Sequence, residues 1–120
     1  MSDSGRYVKI FADDGSVVCE RCVHARSALL RMRGLLGRRE LPPGEGVLLE
    51  PASSIHMLFM RFPIDAVFLD RELTVVGIAE ALRPWRFATR RGAKAVLELP
   101  AGAAARSGLR PGDRLSPEPP

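Results

Sequence analysis

Thiol and imidazole chemistry is confined to four positions of this chain: Cys19, Cys22, His24 and His56. Cys19-Glu20-Arg21-Cys22 is a lone CxxC. A c-type haem site needs His directly after the second Cys, and Val23 stands there. A structural zinc site needs four ligands and there is no second CxxC, so His56 would have to cross the fold to complete a set with His24. An internal disulfide needs Cα atoms within about 7 Å. Residues i and i+3 of an extended strand lie about 10 Å apart. A turn would be required, and neither Gly nor Pro lies between the two cysteines. A thioredoxin-like pair opens a helix, whereas the helix here begins several residues later. The reading is incidental thiols ahead of metal or redox chemistry, with no metal and no cofactor expected.

General acid–base chemistry would need His56 beside a carboxylate. Asp65, Glu98 and Asp113 are the candidates. Asp65 and Glu98 each sit inside an apolar strand, where an unpaired charge is costly. Each must reach the rim or meet a cation, and Arg33 and Arg38 are the natural cations. The leading expectation is an ion-pair network of Arg33 and Arg38 with Asp65 and Glu98. The sharper one is a polar pocket in which Arg33, Arg38, Met60, Asp65 and Glu98 hold a small ligand. Hydrolysis by Asp65 and Glu98, helped by His56, comes third. There is no G-x-S-x-G elbow, no HExxH and no phosphate-cradling GxxxxGK[ST].

Arg83 to Lys94 reads RPWRFATRRGAK. Arg83, Arg86, Arg90, Arg91 and Lys94 are basic, there is no acid, and Trp85 and Phe87 are interleaved. Basic residues among aromatics suit single-stranded nucleic acid or another polyanion, and guanidinium suits planar oxyanions. The plainer expectation is a long solvated loop pinned by Trp85 packing on the core.

The elements that position these residues follow from pattern. Arg6–Ala12 and Ser16–Arg21 flank Asp13-Asp14-Gly15 and read as a hairpin. Ser27 offers an N-cap to a helix near residues 27–36, with Leu29, Met32 and Leu36 on one face and Gly37 as its stop. Gly46–Glu50 and Ile55–Met60 are of strand length. Ile64–Leu69 and Leu73–Ala79 form a second hairpin around Asp70-Arg71-Glu72. Ala95–Leu99 is a strand, and Ala101–Gly108 a short helical turn. That last segment with Gly112-Asp113 looks locally like a PDZ module. Too little chain follows for one, so it reads as a structural closure.

Composition bounds the rest. One hundred and twenty residues make one domain. An apolar fraction of 46% with 27% charged residues is globular. Ten Pro and eleven Gly favour short elements. The net charge is +4, and only Lys9 and Lys94 of the basic residues are lysine. No export signal and no span of about 20 apolar residues appears, so a cytoplasmic location and no membrane partner are expected.

The ordered set Arg33-Gly34-Leu35-Leu36-Gly37-Arg38, Gly46, Phe59-Met60, Pro63-Ile64-Asp65, Val67-Phe68-Leu69-Asp70, Pro84, Leu97-Glu98-Leu99, Ala101-Gly102, Gly108-Leu109 and Gly112-Asp113 resembles domain-of-unknown-function family 192. The resemblance runs from about Ala25 to Leu115. Members often carry Trp before the Met and Asn or Thr after it; here Phe59 precedes Met60 and Arg61 follows. The resemblance implies a compact β-dominated fold with one helix, and no activity. The expectation is therefore a mainly β (α+β) single domain over residues 1–115, partly closed into a barrel, with one α-helix near residues 27–36. A flexible Pro-rich tail is expected at 116–120. The expected function is a non-catalytic binding or accessory module with an Arg-containing pocket for a small anionic ligand or an acidic protein partner. A small hydrolase or carbohydrate-active enzyme is the alternative. Nucleic-acid binding through residues 83–94 ranks below both.

Overall fold

A computed structural model describes residues 7–27, 31, 35, 38–58 and 60–118. Its centre is made of two strands buried on both sides. Strand β5 (Ile64–Leu69) is buried at every residue, and β8 (Ala95–Pro100) at every residue but the last. Neither sequence alternates, because both faces of each strand are covered. Around them lie β1 (Tyr7–Phe11), β2 (Val17–Ala25), β3 (Glu45–Leu49) and β6 (Val75–Leu82). With β9 (Ser116–Glu118) they form a seven-stranded sheet in the order β6-β5-β8-β3-β2-β1-β9. Both expected hairpins are present, as β1–β2 and β5–β6.

The sheet is open, with β6 and β9 at its edges, so the strands do not close into a barrel. A single bridge between Thr74 and Arg114 ties together the segments that precede the two edges. The expected frayed tail is also corrected. Lys9, Ile10 and Phe11 pair with Glu118, Pro117 and Ser116, so residues 116–118 are an edge strand. Pro is tolerated there because an edge has one side without a ladder partner.

Strands β2 and β3 are parallel, and such a pair needs a crossover. Residues 26–44 supply it. Of the helix expected near 27–36, Arg31 and Leu35 are described, and both are helical and buried. The Arg31 amide donates to the Ser27 carbonyl at 3.1 Å, one helical turn back. Leu29, Met32, Arg33, Leu36 and Gly37 lie outside the described residues.

Each face of the sheet has its own core. One gathers Ile10, Cys19, Cys22, Leu48, Val67 and Leu97 beneath Ala104 and Leu109. Ala104 belongs to the short helix Ala103–Arg106, as the sequence leads one to expect. The other gathers Leu35, Val47, Met57, Met60, Phe68 and Val96. Two further strands, β4 (Ser54–His56) and β7 (Phe87–Thr89), pair antiparallel as a separate ribbon. Ile55 packs into the second core and Ala88 against it, which fixes the ribbon to that face.

Candidate functional site

Asp65 and Glu98 are fully buried, yet they do not face one cleft. Asp65 stands opposite Leu99 and Glu98 opposite Ala66. Neighbours along a strand alternate between faces, so the sheet itself separates the two carboxylates. A pair of acids flanking one scissile bond is therefore not formed, and the hydrolase expectation has no shared site.

Each carboxylate solves its burial differently. Asp65 lies in an irregularity where it alone opposes two β6 residues, Glu80 and Ala81. Its Oδ1 accepts from the Ala81 amide at 2.8 Å, and its Oδ2 from Gly102 and Ala104 at 3.0 and 2.9 Å. Ala81 has φ 48 and Gly102 φ 91. The carboxylate thus holds two left-handed turns and caps the short helix from a neighbouring strand. Among the described residues no guanidinium takes part; the expected partner Arg38 lies elsewhere.

Glu98 has a cation, but it is Arg31. The Arg31 Nε donates to Glu98 Oε2 at 2.5 Å, and both side chains are hidden from water. Arg31 Nη2 also approaches the Met57 sulfur at 3.9 Å. Glu98 Oε1 has no hydrogen-bond partner. Burial pushes the Glu98 carboxyl above the usual carboxylate range, and Arg31 draws it partly back. Sequence reasoning missed Arg31 because it placed the apolar face on Leu29, Met32 and Leu36. The available signal was Arg31 with Leu35 at i+4, a spacing that shares one face.

The remaining members of the expected pocket disperse. Arg38 reaches Glu45 at 3.3 Å in a part-exposed pair. Met60 is a core residue. Arg33 lies outside the described residues. His24 pairs with Glu50 at 3.1 Å, and Cys19 and Cys22 lie in the core. His56 sits on the ribbon, opposite Phe87. Among the described residues no group of three metal-ligating side chains gathers.

The basic stretch is organised rather than a long loop. Phe87–Thr89 pairs with Ser54–His56, and the Met57 amide donates to the Arg86 carbonyl at 2.7 Å. The Met57 carbonyl accepts the Trp85 amide at 2.8 Å and, in a turn, the Met60 amide at 3.2 Å. That turn is why the strand expected over Ile55–Met60 ends at His56. Trp85 does not pin the loop by burial, since it is 60% exposed, and Phe87 is 65% exposed. Leu58, one residue beyond Met57, is 40% exposed. Trp85 has φ 68, an uncommon conformation for a bulky residue. Arg90 lies 5.9 Å above the Phe68 ring. It occupies the space that a side chain at Gly77 would need. Arg83, Arg86, Arg91 and Lys94 are exposed, and no carboxylate among the described residues pairs with them.

Fold and charges together define a small, open-sheeted β domain with sealed carboxylates and one exposed aromatic–basic ribbon. The chain belongs to the family described as Uncharacterized ACR, COG1430 (DUF192), whose model matches residues 10–117. Curated relatives carry the name UPF0127 protein. The match is 42% identical over 64 residues to one from Pyrococcus furiosus, covering 52% of this chain and 54% of that protein. It is 49% over 51 residues to one from Thermococcus sibiricus, covering 42% and 32%. The chain thus spans between a third and just over half the length of these relatives. Two crystal structures are similar across 92% of this chain. A proposed transcription regulator from Sinorhizobium meliloti is 28% identical with a TM-score of 0.78, and 92% of it is covered. A protein of unknown function from Novosphingobium aromaticivorans is 30% identical with a TM-score of 0.76, and 83% of it is covered. Among the described residues, no helix is long and apolar enough to cross a membrane.

Proposed function

We propose that this chain is a non-catalytic binding module whose recognition surface is the β4–β7 ribbon and whose partner is an acidic peptide. The observation that carries this reading is the exposure of Trp85 and Phe87 at 60% and 65% within a segment of five basic residues and no acid. Large aromatics and arginines supply most of the energy at protein interfaces. Unpaired Arg83, Arg86 and Arg91 provide complementarity to carboxylates. Leu58 adds an aliphatic contact, which suits a peptide side chain better than a stacked base. A separate ribbon also leaves strand edges along which an extended peptide can lie.

Trp85 is the sole tryptophan, so its fluorescence reports on the site directly. Titration with a Glu/Asp-rich peptide carrying one Leu or Phe should give a saturable spectral shift. Phe87→Ala should weaken it by about 10-fold or more, as expected of an interface anchor. No shift with the peptide, in protein whose fold is verified by circular dichroism, overturns the reading.

Single-stranded nucleic acid is the second reading. It is favoured by the description of the Sinorhizobium meliloti structure as a proposed transcription regulator. Aromatic stacking with phosphate contacts is its chemistry. An oligonucleotide that binds more tightly than the peptide, with affinity falling linearly in log salt, selects it.

A further inference from the structure

The CxxC pair takes on chemistry once its strand geometry is known. Ile10 pairs with Cys19 and Val8 with Cys22, so three steps along β2 match two along β1. A β-bulge therefore lies between the cysteines. In a regular strand, residues i and i+3 point to opposite faces about 10 Å apart. The extra residue returns both thiols to one face, and both belong to the same buried cluster. It also shortens the step between them. Their partners are two residues apart on β1, which corresponds to about 7 Å. That is the upper edge of the span a disulfide bridges. The bulge does what a Gly- or Pro-containing turn would otherwise have to do.

We infer that Cys19 and Cys22 are a redox-active dithiol that closes to an internal disulfide when the protein meets a peroxide. Several features of the surroundings favour this chemistry. Gly46 faces the pair from β3, and a side chain there would come within 3.0 Å of the Cys19 sulfur. Glycine there lets β3 and β8 pack directly against the Cys19 sulfur, where any side chain would push it away. The Cys19 thiol lies 3.5 Å from the Gly44 carbonyl. Gly44, with Val18 and Glu20 on either side of Cys19, lines an open cavity of about 510 Å³. The short route for a small oxidant is through that wall. The two sulfurs are also unequal. A hydrogen bond from Cys22 draws the Cys19 thiol below the usual thiol range, against the opposing effect of its own burial. The same hydrogen bond, with burial next, pushes the Cys22 thiol well above it. Cys19, flanked by the cavity-lining Val18 and Glu20 and in contact with Gly44, is the attacking sulfur, and Cys22, paired with Gly46 inside the sheet, is the resolving one.

The chemistry balances with an organic or hydrogen peroxide as oxidant. The Cys19 thiolate attacks one peroxide oxygen, and the O–O bond breaks. The departing oxide takes up the Cys19 proton and leaves as alcohol or water. Cys19 is now a sulfenic acid. The Cys22 sulfur attacks the Cys19 sulfur, the S–S bond forms and the S–O bond breaks. Hydroxide leaves with the Cys22 proton as a second water. Two thiols have lost two electrons and two protons to one peroxide.

Intact-mass analysis tests this. Native protein is exposed to hydrogen peroxide, quenched, unfolded and alkylated with N-ethylmaleimide. The expected product is lighter by about 2 Da, takes up no maleimide and yields a cross-linked Cys19–Cys22 peptide; reductant restores two adducts. Cys22→Ser should stop at a sulfenic acid on Cys19 that dimedone traps. Cys19→Ser should give no such adduct at Cys22 under the same exposure. Two maleimide adducts after peroxide, sulfinic acid at either position, or a bridge between two chains overturns the proposal. If either Ser variant fails to fold, the wild-type masses decide alone.

Discussion

The centre of the sheet and the β4–β7 ribbon treat charge in opposite ways. At the centre, Asp65 and Glu98 are wholly buried and every strong interaction they make is internal. On the ribbon, Arg83, Arg86 and Arg91 stand in water beside Trp85 and Phe87, with no carboxylate of the described residues drawn to them. A charged residue type in a sequence therefore carries no functional meaning by itself. Where strands bury both faces, a charge must be neutralised or capped, and it is consumed by the fold. Where two short strands lie over one face, charges and aromatics stay exposed to water. The net +4 of the chain does not distinguish these two situations.

The largest effects are expected where the centre is broken. Glu98→Ala leaves the Arg31 guanidinium buried without its partner, and a loss of about 3–5 kcal/mol is expected. Denaturation in urea measures it. The double variant Arg31→Met/Glu98→Leu removes both charges and should recover most of that loss. If it does not, the pair supplies more than mutual neutralisation. Asp65→Ala comes next, since it strands three amide groups that the carboxylate now satisfies. About 3 kcal/mol is expected from the uncompensated donors. Asp65→Asn retains acceptor capacity at one oxygen and should lose less. None of these changes should alter peptide binding by the ribbon once the variants are folded.

A smaller effect follows from the raised Glu98 carboxyl. Burial makes the folded protein hold this proton to a higher pH than the unfolded chain does. Through that window the native state binds more protons, so stability contributed by Glu98 falls as pH rises. It is greatest below the ordinary carboxylate range, near about pH 4. Glu98→Gln cannot ionise, so wild type should lose stability relative to this variant as pH increases from about 4 to 7. Urea midpoints at several pH values across that range check the sign. An opposite trend would mean that Arg31 outweighs burial.

Much of the centre was legible from the residues. Apolar runs bounded by turns located β5, β6 and β8, and the Asp13-Asp14-Gly15 turn located the first hairpin. Asp65 and Glu98 stand out in the sequence because carboxylates inside apolar strands must be neutralised or capped. Their partners were not legible, because partners depend on which face each residue occupies. Leu99 opposite Asp65 and Ala66 opposite Glu98 is a matter of register, and register follows from pairings between distant segments. Asp65 found backbone amides, which leave no trace in a sequence. The bulge between Cys19 and Cys22 was hidden for the same reason, since neither Gly nor Pro marks it. The ribbon was legible in composition but not in form. Its strands are three residues long, too short for alternation to show. Trp85 read as an anchor to the core, although it is 60% exposed.

The smallest expected effect on stability tests the ribbon most sharply. Trp85 holds φ 68 while 60% exposed. A left-handed conformation costs a residue with a side chain about 1–2 kcal/mol, and glycine adopts it freely. Glycine also has more freedom to lose on folding, by about 0.5–1 kcal/mol. The two backbone terms oppose each other, so the change on Trp85→Gly is set by the side chain's own contacts and should stay below about 2 kcal/mol for a residue 60% exposed. If Trp85 served mainly to anchor the segment, its removal would cost about 3 kcal/mol or more, as for a core aromatic. Binding should move the other way, with the variant losing affinity for the acidic peptide by at least about 10-fold. Because the variant lacks the fluorophore, its affinity is read by calorimetry. A stable variant that cannot bind would show that the strained tryptophan serves the partner. A destabilised variant that binds normally would return it to the core and erase the contrast between centre and ribbon.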